Sequence, residues 1–249
     1  ADNEEFNQSK GDSEEFISDK PLKGQGVYDA IGVGGGGGGK FGGRLGGKRN
    51  LVARGGGGDR TEGAVLAGLR WLARHQGDDG SWDAVNYSAQ CKKTICEGKG
   101  YGEYNAGLTG LSLLAFLGAG YTHQSKESYT DPITGKEMNF GRTVKEGLRW
   151  LIKNQDAEGC YGSRSAGKMM YNHTVGALAM CEAFGLTSSP LFKEPAQKGI
   201  DFLIAAKNPY KAWRYTPKCG ENDSSVTGWA VMALKSAEIS GLSVSRAAM

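Results

Sequence analysis

Several absences bound this sequence before any motif does. Its 249 residues carry a formal net charge of +3, too small to argue for any partner by charge. No run reaches the ~18 apolar residues of a membrane helix. The longest candidate, AGLTGLSLLAFLGAGY from Ala106, is too short and too rich in Gly. No signal peptide is visible. The chain begins with Ala1 and stops at Met249 without a helix-ending signal. Both ends are therefore expected to be cut, and an upstream anchor would place the chain at a bacterial envelope. Hydrophobic residues make up 39 %, Gly not counted. Cysteine is sparse and odd in number, with five in all. Cys91 and Cys96 bracket the polar loop CKKTIC. A disulfide there would fit an oxidising compartment, and two thiols fit a reducing one equally well.

What the sequence does hold in excess is Gly, 41 residues of it, concentrated before residue 59. Residues 1–24 are acidic and polar, and they lack the apolar surface to offset chain entropy. Residues 25–59 read as a Gly-rich flexible linker. Its GGGGGGK run lacks the Ser/Thr of a phosphate-binding loop, because Phe41 follows Lys40. Only Arg44 and Arg54 sit beside Gly pairs in the manner of RNA-binding RGG segments, so nucleic acid is not expected as a partner.

From residue 60 a helical period takes over and repeats. GLRWLARHQGDDGSWD from Gly68, GLRWLIKNQDAEGCYG from Gly147 and GIDFLIAAKNPYKAWRY from Gly199 align without gaps. Trp71, Trp150 and Phe202 match, and so do Trp82, Tyr161 and Trp213. The sets Val65/Leu69/Leu72/Ala73, Val144/Leu148/Leu151/Ile152 and Ala196/Ile200/Leu203/Ile204 each mark one helical stripe. A second helix, apolar nearly all round, follows each: NAGLTGLSLLAF, HTVGALAMCEAF and SVTGWAVMALKSA. Copy one is longer than the others by 13 residues between Trp71 and Gly110, and CKKTIC lies in that insertion. The spacing gives repeats at 60–122, 139–189 and 191–240. The amphipathic first helices are expected outside and the apolar second helices inside.

The pattern G-L-x-W-L-x3-Q-x3-G-x-W, carried by Gln76/Trp82 and Gln155/Tyr161 with Trp213 in copy three, resembles the QW motif of squalene and hopene cyclases. The region 60–249 behind its Gly/Arg spacer resembles bacterial prenyltransferase and squalene oxidase repeat proteins. The resemblance implies an all-α fold: an α/α-toroid, here three hairpins of a partial ring after a disordered Gly-rich leader. It also implies that the QW glutamines and aromatics are structural fasteners. Copy three departs from the motif, with Lys207 in place of Gln.

The resemblance locates candidate chemistry before the third inner helix. Cyclases place an Asp-rich D-x-D-D acid there; this chain has ENDS, with Glu221 and Asp223 as candidate catalytic acids and Ser224 where an Asp is lost. Asp223, Ser224 or Ser225 serves equally as a helix N-cap, and that reading is preferred. Prenyltransferases hold zinc at the same rim. His173, Cys219 and Asp223 have donor types that suit zinc, but the D-x-C pair is missing, so no cofactor is expected. His173 reads better as a helix-end histidine. CGEN from Cys219 falls one methylene short of the C-G-E-Q of complement-like thioester domains. The expected function is a non-catalytic module for a partner protein, for further repeats completing the toroid, or for an apolar, isoprenoid-like ligand. The alternative is a terpene cyclase or prenyltransferase whose active site needs missing repeats.

Overall fold

The computed structural model describes residues 59–92, 95–209 and 211–245. The expected acidic tail and nearly all of the linker lie outside the described residues. Six α-helices account for most of what is described: α1 (Asp59–Arg74), α2 (Asn105–Gly118), α3 (Phe140–Lys153), α4 (Met169–Thr187), α5 (Pro190–Ala205) and α6 (Ser224–Ser240). The only strands among the described residues, β1 (Ser128–Thr130) and β2 (Glu137–Asn139), form an antiparallel pair with Tyr129 opposite Met138. The all-α expectation holds, and three helix pairs appear where three repeats were read.

The helices pack in an order that follows their polarity. α4 lies against α2, α5 and α6; α3 lies against α2, and α5 also touches α6. Each later first helix therefore packs on the second helix of the preceding copy. α3 shows why. Its buried positions Phe140, Thr143, Val144, Gly147, Leu148 and Leu151 recur at helical spacing, while Lys145 and Arg149 face solvent. Asn139 caps it, its side-chain oxygen accepting from the Arg142 amide at 2.8 Å. α4 is the hub, with 15 of its 19 residues buried. α2 and α6 flank it and keep one face open, including Leu111 at 44 % and Val231 at 47 % exposure.

α1 departs from the expected stripe. Val65 and Trp71 are exposed, although Leu69 and Ala73 are buried. No hairpin precedes α1 among the described residues, so its outward side has nothing to pack on. The segment between copies one and two contains the β1–β2 hairpin. Its turn is held by Asp131, whose fully buried carboxylate accepts from Arg74 at 2.7 Å and from the Thr134 amide and hydroxyl. Those bonds outweigh the cost of burial and hold the Asp131 carboxyl below the usual carboxylate range.

Candidate functional site

The repeated sentence of the sequence folds into a repeated clasp. Gln76 donates from Nε2 to the Gly80 carbonyl in its own loop and to the Thr143 carbonyl in α3, both at 2.9 Å. Gln155 does the same one copy later, reaching Gly159 at 3.1 Å and Pro195 in α5 at 2.9 Å. Thr143 and Pro195 occupy equivalent repeat positions. Each glutamine therefore fastens its hairpin to the first helix of the next. The loop bond recurs in all three copies: Gly77 N to Ser81 O, Asp156 N to Cys160 O, and Asn208 N to Ala212 O.

The second aromatic of each copy is buried beneath the clasp. Trp82, Tyr161 and Trp213 are exposed by 5 %, 1 % and 3 %. Trp82 and Trp213 donate their indole N–H to the equivalent carbonyls of Leu72 and Leu203. The Tyr161 hydroxyl instead joins Gln155 on the Pro195 carbonyl. In copy three Lys207 cannot repeat the amide bridge, and its ammonium lies 5.2 Å from the centre of the Trp213 ring. Asn208 closes that loop instead, donating to the Glu221 carbonyl at 2.5 Å and accepting from the Gly220 amide.

The first aromatics behave differently from the second. Trp150 is half-buried and donates to Asp79 in the preceding loop at 2.9 Å. Phe202 is buried and receives the guanidinium of Arg164, itself paired with Asp156 and Glu158. Both contacts cross from one copy to the loop of the copy before it. Trp71 has no such loop among the described residues and stays exposed.

The inner-helix rim does not assemble the acid or the zinc set suggested by the resemblance. Asp223 is the N-cap of α6, accepting from the Val226 amide at 2.9 Å. That bond, with weaker help from Tyr215 and Tyr171, lowers its pKa against the opposing effect of desolvation. At neutral pH it is ionised and has no proton to give. Glu221 points outward and pairs with Arg214. Cys219 is exposed, its thiol 3.6 Å from the Glu221 carbonyl. His173 is fully buried in α4, where Nδ1 accepts from the Tyr161 amide at 3.2 Å. Burial pulls its pKa down to about 3, against a weaker opposing interaction with the Gly199 backbone. His173, Cys219 and Asp223 do not form a metal-binding group among the described residues.

The structure instead gathers a set that the sequence reading did not connect. His75, just past α1, lies with Nε2 3.4 Å from Cys91 Sγ and 3.8 Å from Cys96 Sγ. Its Nδ1 is 2.8 Å from the Trp71 carbonyl, and its ring stacks on the Trp71 indole with centroids 3.9 Å apart. Cys91 and Cys96 are free thiols here. The C-x4-C spacing was visible, but the histidine comes from 16 residues earlier, and only the fold brings it in. A cleft of about 640 Å³ opens nearby between the end of α1, β2 and α3. Arg74, Lys136 and Arg142 line it together with Asp78, Glu137 and Glu146, so its charge is mixed.

Comparison of the chain with models of protein families, with curated proteins and with solved structures finds no match in any of the three. No helix among the described residues is long and apolar enough to cross a membrane.

Proposed function

We propose that the chain is a non-catalytic helical-repeat module, a partial α/α-toroid of the squalene-cyclase and prenyltransferase type. It binds an apolar, isoprenoid-like ligand or a partner protein along its second helices. The observation that carries this reading is the clasp: Gln76 and Gln155 make the same pair of bonds at the same register. The copies are thus built for stacking. The open faces of α2 and α6, with Leu108, Leu111 and Val231 exposed, offer apolar surface on either side of the buried α4.

The enzyme reading requires a proton donor at the rim. Protonating an alkene needs a strong, desolvated acid that is still protonated. Asp223 is spent on capping, and Glu221 is ion-paired at the surface. Incubation with squalene and prenyl diphosphates, followed by mass spectrometry of the products, separates the readings. No product is expected, while a fluorescent farnesyl probe should bind saturably and lose binding in the Leu111→Asp/Val231→Asp variant. Turnover abolished by Asp223→Asn would establish the enzyme instead. A folded protein that neither turns over nor binds the probe would assign the open faces to a protein partner.

A further inference from the structure

We propose that His75, Cys91 and Cys96 form a zinc site that staples the end of α1 to the insertion of the first repeat. Two thiolates and an imidazole are donors of the softness zinc prefers. The three ligand atoms lie within 4.8 Å of one another. Zinc with Zn–S near 2.3 Å and Zn–N near 2.0 Å sets tetrahedral ligands about 3.5–3.8 Å apart. The observed N···S separations of 3.4 and 3.8 Å lie close to that spacing.

The histidine is oriented as a ligand. With its Nδ1–H directed at the Trp71 carbonyl 2.8 Å away, the lone pair resides on Nε2, the nitrogen that faces both sulfurs. Stacking on Trp71 and burial to 5 % exposure fix the ring plane. The set belongs to copy one alone. The positions equivalent to His75 are Asn154 and Ala206, neither of which matches an imidazole ligand, and only copy one carries the cysteine-bearing insertion.

Binding is balanced by proton release. Zn2+ displaces one proton from each thiol, neutral His75 supplies its lone pair without ionisation change, and water completes the fourth position. The two thiolates cancel the ion's charge. The site lies where the fold needs a fastener: α1 is the edge helix, and no preceding clasp holds it among the described residues.

The full chain, reduced and purified without chelator, should carry one zinc per molecule by elemental mass spectrometry. Cobalt substitution should give thiolate-to-metal charge transfer and the visible bands of a tetrahedral ion. Both signals should vanish in Cys91→Ser, Cys96→Ser and His75→Ala and persist in Cys219→Ser. Should those variants fail to fold, the wild type decides: zinc added after chelation should raise the melting temperature and release two protons per ion. Reduced wild type, folded by circular dichroism, that takes up no zinc overturns the proposal. So does a native Cys91–Cys96 disulfide in metal-free protein, or a Cys91→Ser variant that keeps stoichiometric metal and an unchanged cobalt spectrum.

Discussion

Gly199 and Tyr161 meet so closely that a Cβ on Gly199 would lie 2.7 Å from Cε2 of the tyrosine ring. The clasp aromatic of copy two rests directly on the α5 backbone of copy three. Gly147 repeats the relationship with Trp82, where a Cβ would come within 3.0 Å of the indole and 2.9 Å of Leu113. In copies two and three the shared repeat glycine is therefore the seat for the preceding copy's ring. Gly68 holds the same repeat position in α1, has no preceding ring, and has nothing within 4 Å of where a Cβ would stand.

Substitution at this one repeat position should therefore change sign along the chain. Gly68→Ala replaces an exposed helix-interior glycine and should stabilise by about 0.5–1 kcal/mol. Gly147→Ala and Gly199→Ala overpack the clasp and should each destabilise by about 1–3 kcal/mol. Urea denaturation of the three variants checks the pattern. Equal effects at all three positions would show that the rings are not seated there.

Acid stability should depend on His173. Its pKa is about 3 in the folded protein, against an ordinary value of 6.5. Below 6.5 the unfolded chain binds a proton that the folded chain refuses, so stability falls as pH drops from about 6.5 towards 3. The stabilisation is whole above 6.5. The largest slope one such group can give is about 1.4 kcal/mol per pH unit. Asp79, Asp131, Asp156 and Asp223, all held below the ordinary carboxylate range, add their losses at the acid end of this window. Denaturation midpoints for wild type and His173→Gln between pH 4.5 and 7 should converge as pH falls. Parallel curves would remove His173 as the source.

The fold was legible in the sequence wherever the repeat carried it. The resemblance to the QW motif implied that Gln76, Gln155, Trp82, Tyr161 and Trp213 are fasteners, and each sits at a copy junction or under its loop. The repeat logic failed at its own ends. Trp71 and Val65 matched the pattern but stay exposed, because an alignment records equivalence and not whether a neighbour exists. The His75 cluster was hidden for a different reason. Its partners lie in the insertion, where no copy-to-copy comparison is possible, and their proximity depends on the path of the intervening loop. The β1–β2 hairpin lies between copies as well, in a segment with no counterpart in the other copies, and Asp131 anchors its turn.

The role of Asp223 separates capping from acid catalysis. Asn caps helices about as well as Asp, so Asp223→Asn should leave stability within about 0.5 kcal/mol, while Asp223→Ala should cost about 1 kcal/mol. Thermal denaturation of both variants tests this. A cost shared equally by Asn and Ala would mean that the carboxylate charge, which Tyr171 and Tyr215 approach at 3.4 and 3.3 Å, matters more than the cap.

The most direct test of the latched-repeat account is the unfolding free energy of Gln155→Ala beside that of Gln124→Ala, an exposed glutamine in a loop. Gln155→Ala removes the bond to the Gly159 carbonyl of its own loop and the bond to Pro195 across the junction of copies two and three, where the Tyr161 hydroxyl still donates. It should cost about 1–3 kcal/mol with an unchanged denaturant slope, while Gln124→Ala should cost nearly nothing. Equal, negligible effects from both would contradict the claim that these amides hold one hairpin to the next.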